Sequence, residues 1–244
     1  MVWEERLAHQ LHEDRNRIRA IYYGEELPEA PLVRHQSVEP ERFRLPEYFR
    51  GKPHARIAFI GPHALLVPEE QPPLFAATAD EYVSYYQQVI PNRIPYNHYS
   101  AICGDEPWLS LELPPYQVEK DLVIAAMKGP GGKHLYERSV RLIWDLLGES
   151  QVETLVLTGA DVLRWGLWAD LGLPGKPLSA TQGHGRLWGE VALPRAAGRR
   201  VRVVTSFHWG KEVPLFVRKV PGLAELSPRE AISRARHMLT EVLL

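Results

Sequence analysis

Three short runs constrain this chain more than any other feature: Arg56-Ile57-Ala58-Phe59-Ile60-Gly61, Glu153-Thr154-Leu155-Val156-Leu157-Thr158-Gly159-Ala160 and Val201-Arg202-Val203-Val204-Thr205. Each reads as apolar on both faces of an extended backbone, so each needs cover above and below. Strands buried on both sides belong to parallel sheets flanked by helices. The first two runs end in glycine and the third runs into Ser206-Phe207-His208, so all three open into loops.

The segments between these runs carry helical patterns. Leu135, Ser139, Leu142, Ile143 and Leu146 keep one face over 135–148, and Gly148 supplies a stop. Asp161 is a good N-cap for a helix to about Ala169, and residues 78–90 are compatible with another. Tyr96 to Cys103 is expected to be a second strand with its loop. Residues 187–205 suggest a ribbon, with Leu187 to Val191 as one arm and Val201 to Thr205 as the other. A closing helix over 228–243 has Ser227 as its cap and Pro228 in its first turn. Residues 1–23 read as a charged amphipathic helix, and the prolines of 24–53 suggest an extended, wrapping connection. The expected fold class is therefore α/β: a three-layer α/β/α sandwich around a central, largely parallel four-stranded sheet, with helical extensions at both ends. Two segments are expected, 1–53 as an N-terminal helix and wrapping extension and 54–244 as the α/β domain. Ligands of such sheets sit beyond the carboxyl ends of the strands. The loops Gly61 to Phe75, Asn97 to Asp105 and Phe207 to Glu212 should meet there, with the Gly159–Asp161 turn nearby.

Composition narrows the function classes. With 244 residues, 45% apolar and a formal charge of −1, the chain can bury a sizeable core and has no polybasic arm. A neutral total still permits a local basic groove. The single cysteine, Cys103, excludes an internal disulfide, a cysteine-based zinc site and a four-cysteine iron–sulfur cluster. The N-terminus shows no signal-peptide pattern and no run approaches the roughly 18 apolar residues of a membrane span, so a cytoplasmic protein without membrane contact is expected. Scarce Asn and Cys with 21 Pro fit a heat-adapted chain, while 22 Arg against 7 Lys fits either heat adaptation or genomic nucleotide bias.

Five motifs in order carry a resemblance. They are Phe59-Ile60-Gly61-Pro62-His63-Ala64, Phe75 in the loop that follows, Tyr96-Asn97-His98, Leu155-Val156-Leu157-Thr158-Gly159-Ala160, and Val203-Val204-Thr205-Ser206-Phe207-His208-Trp209-Gly210. Over roughly residues 55–215 this set resembles the uracil-DNA glycosylase superfamily, as an outlying branch without an iron–sulfur cluster. The sequence departs from the family pattern at Ala64, where a proline usually stands, and at His208-Trp209-Gly210, where His-Pro-Ser is usual.

The resemblance implies hydrolysis of the bond between a damaged base and deoxyribose in DNA, uracil or a related deaminated base being the target. Such cleavage develops positive charge on the sugar and negative charge on the departing base, and the site must stabilise both and position a water. The base is flipped out and held by an aromatic face and an amide. Phe75 has the type and place of the stacking face, with Gly61 and Pro62 in the loop beside it. Asn97 can both donate to a carbonyl and accept from an N–H, as reading a pyrimidine edge requires. His208 can donate to the carbonyl of the leaving base as charge develops there. His63 stands where the family commonly has a water-orienting Asp or Asn, and Glu69 or Glu70 could supply that carboxylate instead. Lys211 is the best placed of the residues that could track phosphate, the others being Lys128, Lys133, Arg186 and Arg218. No cofactor is expected. The expected partners are DNA and the released base, and a monomer is expected.

Two other readings compete. A protein of this fold could bind nucleic acid or a nucleotide without cleaving it, its histidine and amide pointing apart. A small-metabolite hydrolase would need a nucleophile cluster, and the sequence has no Gly-x-Ser-x-Gly elbow. Lys128-Gly129-Pro130-Gly131-Gly132-Lys133 lacks the ending and the preceding strand of a P-loop. The histidines, including His98, His134, His184 and His208, form no His-x-His or His-x-x-x-His pair, so no metal site is expected.

Overall fold

The computed structural model describes residues 49–51, 55–62, 94–113, 141, 144, 147–148, 150–159, 179–193, 198–210 and 213–244. The chain divides into two compact units, one of Met1–Tyr48, His63–Pro91 and Glu112–Ile143, the other of Phe49–Pro62, Asn92–Leu111 and Trp144–Leu244. Nearly all described residues belong to the second. The helices expected over 1–23, 78–90 and 161–169 lie outside the described residues.

The fold is α/β, built on a mixed sheet. Its strands are β1 (Phe49–Gly51), β2 (Ile57–Pro62), β3 (Trp108–Leu113), β4 (Thr154–Thr158), β5 (Arg186–Ala192) and β6 (Arg200–Ser206), in the order β1-β3-β2-β4-β6-β5. The three runs that dominate the sequence are its parallel centre. Ile57 to Ile60 pair with Thr154 to Leu157, and Thr154 to Thr158 pair with Arg202 to Ser206. Every residue of β4 is buried, as a strand covered on both faces must be. Burying Leu155, Val156 and Leu157 contributes roughly 1.5–3 kcal/mol each. Parallelism does not extend to the edges, where β1 pairs antiparallel with β3 and β5 antiparallel with β6. The hairpin of β5 and β6 is the expected ribbon, with a register shift between Leu187 and Gly189.

Two expectations are corrected. Among the described residues the sheet has six strands rather than four. Tyr96 to Cys103 is not a strand: Ile94–Cys103 is a helix, α1. The burial shows why. Tyr96, Tyr99, Ile102 and Cys103 are buried at helical spacing, while Asn97, Ser100 and Ala101 are exposed. Pro95 sits in the first turn, where a missing N–H costs nothing. The aromatic face packs on the sheet, with Phe59 and Tyr99 stacked at 3.9 Å and Tyr96 stacked on Trp108 at 5.8 Å. The strand next to β2 is instead β3, which follows α1 and places Leu109 and Leu111 in the core.

Of the expected helix over 135–148, the described residues Arg141, Trp144, Leu147 and Gly148 are helical. Its end is satisfied from the β5–β6 hairpin. The Arg199 guanidinium donates to the carbonyls of Leu147 (3.1 Å) and Gly148 (3.2 Å), and also to those of Ser150 and Val152. A cation at a helix C-terminus is favourable both as a donor and as a charge.

After β6 come a short helix, α2 (Val213–Val217), and the closing helix α3 (Pro228–Leu243). Helix α3 begins with a capping box: Ser227 accepts from the Glu230 N–H and the Glu230 carboxylate accepts from the Ser227 N–H. A hydrogen bond from the Ser227 hydroxyl, and after it the one from the Ser227 N–H, hold the exposed Glu230 carboxyl below its ordinary range. Ala231, Ala235, Leu239 and Leu243 form the buried face, one residue per turn. The Thr240 hydroxyl donates to the Ile102 carbonyl at 2.9 Å, which joins α3 to α1. Among the described residues no helix is long and apolar enough to cross a membrane. Ser227→Ala should cost about 1 kcal/mol and lower the melting temperature by about 2–4 °C. A calorimetric scan checks this.

Candidate functional site

Parallel pairing brings the carboxyl ends of β2, β4 and β6 to one edge of the sheet, where their loops begin. Gly61 and Pro62 end β2 there, and Gly61 is buried. The end of β4 is fastened to both neighbours. The Thr158 hydroxyl donates to the Ile60 carbonyl at 3.0 Å, and the Gly159 N–H donates to the Ser206 carbonyl at 2.8 Å. Gly159 makes its turn at φ +90°, where a side chain would be strained. Phe207, His208, Trp209 and Gly210 then leave β6.

In that last segment Phe207 and Trp209 are buried and His208 is half-buried. A Cβ added to Gly210 would lie 2.7 Å from His208 Nε2 and 2.8 Å from Cδ2. The imidazole thus lies directly against the glycine backbone. Trp209, between His208 and Gly210, is 0% exposed. Its indole packs against His98 (4.8 Å between ring centres), Phe207 (4.6 Å) and His184 (5.7 Å).

Behind the loop is a buried polar cluster that the sequence did not reveal as one. His184 is 1% exposed, with Nδ1 3.1 Å from Ser206 Oγ and Nε2 2.9 Å from the Ala235 carbonyl. The carbonyl can only accept, so Nε2 carries the imidazole proton and Nδ1 is the acceptor. The Ser206 hydroxyl therefore gives its proton to Nδ1, although the Phe207 carbonyl is also 3.1 Å away. In turn Ser206 Oγ accepts from Trp209 Nε1–H at 2.9 Å. On the other side, Arg236 Nε–H donates to His98 Nδ1 at 3.2 Å.

This geometry excludes two kinds of chemistry at the cluster. Ser206 and His184 are paired like a nucleophile and its base, but Ser206 is 0% exposed beneath the indole, so a substrate carbonyl has no approach to Oγ. His184 uses both ring nitrogens and His98 accepts at Nδ1 from a cation, so neither has the free geometry of a metal ligand pair. Among the described residues no three His, Cys, Asp or Glu side chains converge on a metal position. Burial pushes the Cys103 thiol up to about 12, with Glu106 adding to the shift, which removes its thiolate.

Of the residues singled out from the sequence, Gly61, Pro62 and the His208 loop come to the same end of the parallel sheet. Asn97 does not end a strand. It is exposed on the first turns of α1, beside His98, whose ring touches Trp209. His63, Phe75, Lys211, Glu69, Glu70, Lys128 and Lys133 lie outside the described residues. Arg186 starts β5 opposite Thr205 and is exposed, as is Arg218 after α2. Sequence reasoning missed Ser206, Arg236 and the roles of His98 and His184. A partial signal existed in Gly183-His184-Gly185, since a histidine between glycines marks a place where backbone packs closely. Gly185 has φ +66°, and a Cβ there would lie 3.1 Å from the Met238 carbonyl.

Both buried histidines are pushed down to about 4, His98 by burial and then by the Arg236 charge, His184 by burial against the opposing pull of the Ala235 carbonyl. The folded state therefore holds them neutral while the unfolded chain takes up protons near pH 6.5. Their stabilisation is complete above about pH 6.5 and is lost as pH falls towards 4. Denaturant titrations at pH 7 and pH 5 should show that loss, and it should shrink in His98→Gln. Gly210→Ala should leave stability within about 0.5 kcal/mol while displacing the His208 ring, which a crystal structure of the variant checks.

No family model matches the chain, and no curated protein matches it.

Proposed function

We propose that the chain is a DNA glycosylase-like hydrolase, on a three-layer α/β/α frame, that excises a damaged base by hydrolysing its N-glycosidic bond. What supports the reading is the order of the motifs along the parallel strands. Gly61-Pro62, Thr158-Gly159 and Phe207-His208 succeed one another at the carboxyl ends of β2, β4 and β6, the edge where α/β sheets bind ligands.

In this reading the His208 imidazole donates to the carbonyl of the departing base. Its placement beyond a buried strand and against a glycine suits a donor that must be in position before charge develops. Phe75 stacks on the flipped base, Asn97 reads its edge from α1, and Lys211 meets a phosphate. His63, or Glu69 or Glu70 in the same loop, orients the water.

One observation favours a second reading, a binding protein of this fold without cleavage. Asn97 is on an exposed helical face rather than at a strand end beside His208. Oligonucleotides carrying uracil, hypoxanthine, xanthine or a thymine mismatch, treated with the protein and then with alkali, separate the two. Cleavage of at least one is expected. His208→Ala should lower turnover by about 10²–10³ while affinity for intact DNA holds, because the charge appears mainly in the transition state. No alkali-labile product from any of them, with DNA still bound, establishes the second reading instead.

A further inference from the structure

We propose that Trp209 is the positioning residue of the His208 loop, held from two sides by helix α3; its catalytic meaning rests on the reading of His208 given above. Two arms start from consecutive residues of α3 and converge on one indole. The first runs from the Ala235 carbonyl through His184 and the Ser206 hydroxyl to Trp209 Nε1–H, with contacts of 2.9, 3.1 and 2.9 Å. The second runs from Arg236 Nε–H to His98 Nδ1 at 3.2 Å, and the His98 ring lies 4.8 Å from the indole at an angle of 37°.

One arm fixes the edge of the indole and the other its face, so neither in-plane rotation nor tilt is left open. The first arm cannot yield easily, because the His184 loop is pressed against α3 at Gly185, where even a methyl group would lie 3.1 Å from the Met238 carbonyl. The clamped indole fixes the backbone at 209. Its neighbours on either side are His208 and Gly210, which touch each other through the imidazole. A rotation of the loop about the indole would therefore carry the ring with it. An interaction made far from the reacting atoms then controls where a hydrogen-bond donor points, and small misplacements of such groups are costly to rate.

The test uses the full chain with labelled histidine and follows the His208 Cε1–Hε1 cross-peak, assigned by its loss in His208→Gln. Trp209→Phe keeps an aromatic ring against His98 and removes the donor to Ser206. Arg236→Met removes the donor to His98, and Ser206→Ala removes the acceptor of the indole N–H. Ser227→Ala weakens α3 at its cap without touching either arm. Shift or broadening of the His208 peak is expected in the first three variants and an unmoved peak in Ser227→Ala. A peak that stays in place in Trp209→Phe and Arg236→Met, or that moves equally in Ser227→Ala, overturns the proposal. On an oligonucleotide that the wild type cleaves, Trp209→Phe should lower kcat by about 10²-fold with KM nearly unchanged. A raised KM with unchanged kcat also overturns it. A wild type that cleaves nothing overturns the glycosylase reading alone, since the histidine spectra decide the positioning role without any turnover.

Discussion

The parallel pairing of β2 and β6 on either side of β4 is the constraint on which the rest of this structure depends. A strand of Thr-Leu-Val-Leu-Thr with all five residues buried can exist only where both faces are covered and both edges are paired. Once β4 holds that place, its two neighbours run in its direction, and the carboxyl ends of all three fall on one edge. Even the polar carboxyl end of β4 serves this registration. Thr158 returns its hydroxyl to β2 and the Gly159 N–H goes to β6. At the opposite edge, Arg56 meets Glu153 at 2.6 Å, but both side chains are more than half exposed and such a pair contributes little.

The polar groups that follow β6 are the unusual part of the core. Burying a histidine or a serine hydroxyl without partners is costly, typically about 1–3 kcal/mol for each lost hydrogen bond. Here the partners come from outside the sheet: the Ala235 carbonyl, the Arg236 guanidinium and the indole N–H. A cluster satisfied in this way specifies one arrangement of the loop, because any other would leave several buried groups without partners. It also explains why α3 is more than cover. Ala235 is on its buried face, and the Ala235 carbonyl reaches His184.

The edges of the sheet follow a different logic from its centre. Antiparallel β5 carries an exposed Leu187, a half-buried Trp188 and a register shift beside them. An irregular edge of this kind is a poor template for pairing with another chain. At the other side the three residues of β1 pair antiparallel with β3 and form the edge of the sheet.

Much of this was legible in residues alone, and the reason is period and chemistry that act locally. The three apolar runs determined the parallel centre of the sheet. Ser227-Pro228 with Glu230 determined where α3 begins, and glycines determined where strands stop. What the residues could not decide was anything set by distant partners. Tyr96 to Cys103 carries aromatics at spacings of two and of three, so either a strand or a helix fits locally; only the sheet face at Phe59 selected the helix, and with it took Asn97 off the strand end. The alternation Leu109, Leu111, Leu113 is a strand signal of the plainest kind, and β3 forms there. His98 and His184 looked like loop residues. Their nitrogens are engaged by groups 138 and 51 positions away, a pairing with no trace in local pattern. Sequence thus determined which strands are central and which way they run, since burial on two faces is a property of the run itself. The tertiary structure alone decided what surrounds His208, because hydrogen bonds between buried groups depend on which surfaces the fold brings together.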